Sequence, residues 1–564
     1  MAYKINTHAC LCCHNCASEC PVQAIAYHGP SYQVDPNRCI DCGHCSVVCN
    51  VGAAYDPNKK QADADTAERS LTCDLAVLGA GAAGLICAVR AAQLTGKKVV
   101  VLEKAAKPGG SAWYAHGFTV EGSKRQKDAG IPDTRDEMFR RSMKDTEWAL
   151  DPKLVQNYIY ATGPFFDWLS TMGETEQYFK IRNLHGRNIL DVPDRCFYNL
   201  KCTDPAIGPG WGGSFVIRKM LEQCRKLGIE ILTGHCAKQL FRNEAGAISG
   251  VLAERDGGGR TMVKCKACVL ATGGWARNDD LLRRQRPDFF AEGGEPIHRF
   301  TVPTVTGDVL RLCRSVGAKT REDNMVVNVF GPVHHPYSYC LFRFALQPEP
   351  IIINLNGRRW VDESDFTLGH FRIADQPRQI AWSVLDQETL ELIANRLIGD
   401  PADGTDGWIY ERYKKEIEEE VALGTPLKRA DTLEELAEQM GVTDIPAFLE
   451  EIARFNHYCE QGRDEDFLKR PETLRPIQKA PFYAILGKRA TDGAFGGAVI
   501  NADTNVVAED GSLIPGLYAA GDNTDGWFIR RGTEKKTVMS DLTWAVASGF
   551  LSGGAAAGYL TGSD

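Results

Sequence analysis

The chain has 564 residues, 43% of them apolar and 24% charged, with a formal net charge of −8. Such a length exceeds one simple domain and supports a large core, and the composition is that of a soluble globular protein. The acidic balance argues against nucleic acid as a partner. The longest weakly charged stretch, 542–560, is diluted by Gly549, Gly553, Gly554 and Gly558. It falls short of the ~20 predominantly apolar residues that a membrane span needs, so it is expected as a packed helix.

The first fifty residues hold two copies of one cysteine spacing. Cys10, Cys13, Cys16 and Cys20 read C-x2-C-x2-C-x3-C, and Cys39, Cys42, Cys45 and Cys49 repeat it 29 residues later. Separated C-x2-C pairs would suggest zinc, and a disulfide framework needs an oxidising compartment. With the first cysteine only ten residues in, no signal peptide is expected ahead of it. The doubled spacing is instead the signature of a ferredoxin with two [4Fe–4S] clusters, in which the fourth ligand of each run serves the other cluster. Cys10, Cys13, Cys16 and Cys49 are thus expected on one cluster, and Cys39, Cys42, Cys45 and Cys20 on the other. Cys12 is out of register, a spectator. The other eleven cysteines, Cys73, Cys87 and Cys265 among them, lack ligand spacing and are expected as buried small hydrophobes.

Residues 56–70 are polar and poor in large apolar groups, as a linker would be. A short strand over 74–78 (DLAVL) then runs into Gly79, Gly81 and Gly84 of GAGAAG, a helix over 85–94, and a second strand over 97–102 ending at Glu103. This is a dinucleotide fingerprint in its required setting. Gly79 makes the turn, Gly81 admits the pyrophosphate and Gly84 lets helix and strand pack, while Glu103 accepts from ribose hydroxyls. Further along stand Gly109-Gly110-Ser111, a strand within 228–236, Ala271-Thr272-Gly273-Gly274, and a glycine-ended strand leading to Gly521-Asp522.

The ordered set GAGAAG, PGGSAWYAHGF, VLATGGWARN, IIINLNGRRWVDE and GLYAAGD resembles the flavoprotein superfamily of fumarate reductases, succinate dehydrogenases and 3-ketosteroid dehydrogenases, over most of 71–564. The resemblance implies an α/β chain: a Rossmann-like FAD-binding domain (71–336 and 491–564) with an inserted α+β capping domain (337–490). Ahead of it stand a small ferredoxin-like α+β iron–sulfur domain (1–58) and a linker (59–70). It also implies FAD contacts at Ala83, Lys104, Ala237, Ala271, Thr272, Gly273, Gly521, Asp522 and Ser540, besides the glycines and Glu103. Some relatives carry the flavin covalently on a histidine where this chain has Ser111, so a noncovalent FAD is expected.

The family's chemistry carries over incompletely. Soluble fumarate reductases place an arginine acid four residues after the glutamate of an Asn-Glu pair. Here the pair is Asp362-Glu363 and the fourth residue on is Thr367, with Arg372 five further. Threonine replaces neither the proton donor nor the carboxylate fork. The histidine before the Gly-Gly pair is absent from Gly493-Ala-Phe-Gly496-Gly497, and the steroid branch's C-terminal pattern is missing. Fumarate is therefore not the expected substrate. The candidate catalytic residues are His116, in place of a loop glycine; His334, His335 and Tyr337, in the family's H-P-T segment; Arg530 or Arg531 as an anion clamp; and Glu534, with Lys535, as an acid/base pair.

The expected function is an anaerobic, cytoplasmic oxidoreductase. An external donor such as a ferredoxin, flavodoxin or reductase passes electrons through the clusters to FAD, and hydride goes on to an activated C=C bond of an enoate- or enone-like small molecule. The same wiring run backwards would be a dehydrogenase exporting electrons. An electron-transfer subunit serving a partner protein is the third reading, and the inserted cap speaks against it.

Overall fold

The computed structural model describes residues 2–7, 9–10, 15–18, 20–28, 31–49, 51–58, 68–115, 117–173, 179–180, 199–202, 212–290, 298–299, 301–322, 326–332, 344–345, 347–364, 373–398, 413–423, 427–528 and 540–562. The cysteine repeat folds as a repeat. Strand β1 (Lys4–Ile5), helix α1 (Asn15–Ser18) and strand β2 (Ile25–Tyr27) are followed by β3 (Tyr32–Val34), α2 (His44–Val48) and β4 (Ala54–Tyr55). The first half does not pair within itself alone: β1 pairs with β4, and β2 with β3. Register obeys the 29-residue offset of the cysteines, since Ile5 faces Ala54 as Val34 faces Ile25. Two halves related in this way each close on the other.

Strand β5 (Arg69–Thr72) begins inside the last two residues of the expected linker. The next strand, β6 (Leu75–Leu78), is buried at every position, as is β7 (Val99–Leu102). Continuous apolar strands of this kind belong inside a parallel sheet covered on both faces. Between them helix α3 (Ala82–Thr95) ends at Gly96, which supplies the left-handed φ of +64° that closes the helix. The sheet order is Glu230–Leu232, β7, β6, Ala267–Leu270, Leu513–Ala519 and Asn505–Val507. The first five strands are parallel and only the last runs against its neighbour. A second sheet joins His235–Arg242, Ile248–Arg255, Arg260–Lys264 and β5.

The last helix, Asp541–Thr561, is the packed helix expected over 542–560, and among the described residues no helix is long and apolar enough to cross a membrane. Its glycines let it lie directly on α3: a Cβ on Gly549 would meet the Ala83 carbonyl oxygen at 2.5 Å, and one on Gly553 the Cys87 carbonyl oxygen at 2.9 Å. Cys73, Cys87 and Cys265 are buried, and burial pushes each thiol up to about 12, as expected of cysteines that serve as small hydrophobes.

A third sheet is built on the long strand Phe482–Ala494, which pairs with His298–Arg299, Val326–Pro332, Ile380–Asp386 and Leu427–Ala430. It draws strands from both sides of the expected 337–490 insertion. Its core holds a buried quartet of charges. Arg359 donates to both oxygens of Glu363, at 2.9 and 2.8 Å, and to Asp464 at 2.8 Å, while Lys469 reaches Glu363 at 3.3 Å. Burial alone would raise the Glu363 carboxyl, but Lys469 and Arg359 hold it below its ordinary range.

Candidate functional site

The fingerprint glycines divide by what surrounds them. Gly79 has a φ of +108°, and a Cβ there would stand 2.2 Å from the Ala271 carbonyl oxygen. A Cβ on Gly84 would lie 2.0 Å from the Gly79 carbonyl oxygen. Both are glycines because the chain packs on itself. Gly81 is different: it caps α3 with an ordinary extended φ of −77°, and nothing lies within 4 Å of its added Cβ. The protein leaves that space open at a helix N-terminus, where backbone N–H groups gather. Gly110 borders the same opening, its added Cβ 3.5 Å from the Gly81 Cα. Gly109, at φ +125°, lets the Trp113 ring lie against it, and the Trp113 indole donates to the Pro108 carbonyl at 2.8 Å.

Glu103 is buried at the end of β7. One oxygen accepts from the Ala80 N–H at 2.7 Å and the other from the Ala105 N–H at 2.6 Å. Burial pushes its carboxyl up, and these two bonds oppose the shift. Each oxygen retains acceptor capacity for a ribose hydroxyl. Lys104 is engaged elsewhere: its ammonium reaches Asp308 at 2.6 Å and the Thr306 hydroxyl at 2.8 Å. The Ser111 hydroxyl accepts from Val302 N–H at 3.3 Å, and the Ala237 carbonyl accepts from Arg311 at 2.8 Å. Ala83 lies in the first turn of α3, with Gly521 against it. Ser540 caps the last helix through the Thr543 N–H at 3.3 Å.

Three polar side chains on the segments that follow Leu270 and Ala519 hold buried atoms without partners. The Thr272 hydroxyl, beside Ala271 and Gly273, has none; Asp522 has one orphaned oxygen; and both amide atoms of Asn523 are unpaired. Burial first, and then Asp541, pushes the Asp522 carboxyl well above its ordinary range. Orphaned polar groups cost free energy unless something meets them. With the open face of Gly81, they fit a long polar ligand such as FAD. Asn523 is a residue that sequence reasoning missed, although it directly follows the Gly521-Asp522 signal. Asp308, the counter-ion of Lys104, was missed as well.

Glu121, just beyond the strand Gly117–Thr119, is fully buried, and no hydrogen bond of normal geometry reaches either oxygen. Burial pushes its carboxyl up to about 7, and the neighbouring Thr134 offsets this only in part.

In the cysteine module the two halves again match. The Cys20 sulfur accepts from the Ala24 N–H at 3.2 Å, and the Cys49 sulfur from the Ala53 N–H at 3.1 Å. Hydrogen bonds of this type tune cluster thiolates. Burial pushes the Cys45 thiol up to about 11, and the charges acting with it are those of Cys39, Cys42 and Cys20. These are the four residues that the repeat assigns to one cluster. Among the described residues no three His, Cys, Asp or Glu side chains converge as donors to a single metal ion. Cys13 lies outside the described residues, as do His116, His334, His335, Tyr337, Thr367, Arg372, Arg530, Arg531 and Glu534. Glu363 is described, and its two oxygens are occupied by Arg359 and Lys469 rather than turned to an open site.

A parallel sheet with a glycine-lined opening at α3, an acidic residue ending the second strand and unmet polar groups opposite defines a dinucleotide-binding protein of the flavoprotein type. The chain belongs to the FAD binding domain family, which matches residues 74–529. It is 28% identical over 476 residues to the vinyl phenol reductase of Lactiplantibacillus plantarum, across 80% of this chain and 90% of that protein. It is 27% identical over 472 residues to the urocanate reductase of Eggerthella lenta, across 82% and 72%. A fumarate reductase (cytochrome) of Shewanella frigidimarina is 24% identical over 475 residues, across 84% and 75%. Among solved structures, the open conformation of a flavocytochrome c3 fumarate reductase superposes with a TM-score of 0.67 at 22% identity, over 87% of this chain and 79% of that one. The 3-ketosteroid delta1-dehydrogenase of Sterolibacterium denitrificans gives 0.66 at 19%, over 87% and 100%. At these identities the two structures speak for the fold alone. The match to the family starts at residue 74, beyond the cysteine module.

Proposed function

We propose that this chain is an iron–sulfur flavoprotein reductase of an activated C=C bond in a small enoate- or enone-like molecule. The observation that carries the reading is the joining of a two-fold cysteine module to a FAD cradle, with the loop after Cys49 seated on that cradle's own loop. In this reading FAD is held noncovalently by the Gly81 and Gly110 faces, Glu103, Thr272 and Asp522. Ser111 has no imidazole with which to form a covalent link. Bound FAD supplies hydride chemistry and can exchange electrons singly or in pairs. The two cysteine sets hold [4Fe–4S] clusters, supported by the matched N–H···S bonds and by the electrostatic grouping of Cys20, Cys39, Cys42 and Cys45.

The third sheet and its helices form the cap over the substrate. Its buried quartet keeps Glu363 ionised and bound, so Glu363 orders the cap instead of moving a proton. Proton donation and anion binding fall to His116, His334, His335, Tyr337, Arg530, Arg531 and Glu534. The donor is a one-electron protein or reductase in a reducing cytoplasm. The relatives named as vinyl phenol and urocanate reductases favour the reducing direction.

Two measurements test this. Anaerobically prepared protein should contain roughly eight iron and eight sulfide per chain, with one FAD. Reduced viologen dye should be oxidised when particular unsaturated acids, enones or vinyl phenols are added. A preparation with full iron and FAD that turns over none of a broad panel would sink the proposal.

A further inference from the structure

The two halves of the cysteine module are equivalent in fold but not in surroundings. Cys20 and Cys49 occupy equivalent places, and each is followed three residues later by a left-handed residue, Gln23 at φ +50° and Gly52 at φ +67°. Pro21 and Gln23 on the first loop are exposed, and so are Ile40, Asp41 and Cys42 beside it. The second loop is covered by the flavin domain. Val51 packs on the cluster of Tyr114, Val302 and Val305, and an added Cβ on Gly52 would touch the Ala106 Cβ at 3.5 Å.

Lys107 joins the two parts. Its ammonium donates to the carbonyls of Ser46 at 2.9 Å, Val47 at 3.0 Å and Cys49 at 2.8 Å. All three of its donors are used, on carbonyls at the C-terminal end of α2, where a cation is favoured; the Cys49 carbonyl also accepts from the Gly52 N–H at 3.2 Å. The next residues, Pro108, Gly109 and Gly110, are the loop that borders the opening at Gly81. A single side chain therefore ties the segment carrying Cys49 to the segment that lines the FAD cradle.

We infer that Lys107 is the positioning residue that docks the iron–sulfur module in one orientation, with the set that includes Cys49 turned to the flavin and the Cys20, Cys39, Cys42 and Cys45 set turned to solvent and the external donor. This rests on the proposed reading that both sets hold clusters. A two-fold module could otherwise dock by either end. The lysine, Val51 and Gly52 break that equivalence, and the direction of the relay follows from the break.

The test uses Lys107→Ala, Lys107→Glu and Lys107→Arg in the full chain loaded with clusters and FAD. Hydrogen exchange at residues 49–53 and 105–114 should accelerate about tenfold in Lys107→Ala, as loss of charged hydrogen bonds at a locally opening contact predicts. It should accelerate more in Lys107→Glu and return toward the parent in Lys107→Arg. In a potentiometric titration read by electron paramagnetic resonance, the two cluster signals are assigned by their loss in Cys16→Ser and Cys42→Ser. Lys107→Ala should lower the potential of the Cys16-dependent signal more than that of the Cys42-dependent one, because the lysine bonds the Cys49 carbonyl itself and, on the side of the other set, only the residues beyond Cys45. A shift confined to the Cys42-dependent signal, or no shift with unchanged exchange, overturns the inference. Protein that takes up no iron refutes the functional reading and with it the relay direction, whereas unchanged exchange in Lys107→Glu refutes the docking role by itself.

Discussion

Gly81→Ala isolates the cofactor from the fold. At Gly84 a Cβ would stand 2.0 Å from the Gly79 carbonyl oxygen. That contact must open by more than an ångström inside a close-packed crossing, and overpacking of this kind costs about 1–3 kcal/mol or more. At Gly81 the added methyl meets no protein atom within 4 Å and the backbone φ of −77° suits any residue. The loss to the protein is that of a poorer N-cap, under about 1 kcal/mol. A pyrophosphate drawn against that face would meet the methyl directly. A comparable overpacking term of about 2–3 kcal/mol corresponds to roughly 30- to 150-fold weaker FAD binding. The assay is the ratio of flavin absorbance to protein after gel filtration, together with urea unfolding of the flavin-stripped proteins. Gly81→Ala should elute flavin-poor yet unfold like the parent when stripped, whereas stripped Gly84→Ala should unfold at lower urea. Full flavin retention by Gly81→Ala would refute the placement of the phosphates, and equal destabilisation of the two stripped variants would refute the packing argument.

Glu363→Gln removes the charge that Arg359 and Lys469 share in the cap core, and breaking a buried pair of this kind costs about 3–5 kcal/mol in urea unfolding. Glu121, held at about 7 against an ordinary value of 4.5, gives the opposite pH sign to a salt-bridged carboxylate. The unfolded chain releases this proton first, so stability falls as pH rises from about 4.5 to 7, by up to about 3 kcal/mol in all. Glu121→Gln should flatten that part of the profile, and a parallel profile would reject the assignment. Cys20→Ser should lose the same cluster signal as Cys42→Ser and keep the one lost in Cys16→Ser; the reverse pattern would mean that each run holds its own fourth ligand.

What the sequence revealed was mostly local. Gly79, Gly81, Gly84 and Glu103 fall within one βαβ unit, so spacing and strand composition sufficed to place them there, whereas the strand register of the cysteine module was not read from its offset. Pairings between remote segments were not legible. Arg359 meets Asp464, Lys104 meets Asp308 and Lys107 meets the carbonyls around Cys49, and none of these leaves a spacing signal. The strand Phe482–Ala494 likewise runs past the boundary expected at 490, because its pairing with His298–Arg299 is decided by the sheet and not by composition. Orphaned groups such as Asn523 become visible only when burial is known.

The adjacency of the strands Ala267–Leu270 and Leu513–Ala519 also governs how the molecule is made. The first leaves the ribosome long before the second, with the whole third sheet between them. During that interval Ala267–Leu270, apolar at every position, is an open edge able to pair with other chains. The long separation makes this closure a late step with a large chain-entropy cost. The parallel sheet is thus finished only after the intervening sheet has been synthesised, so a nascent chain arrested within that sheet presents an unpaired apolar edge.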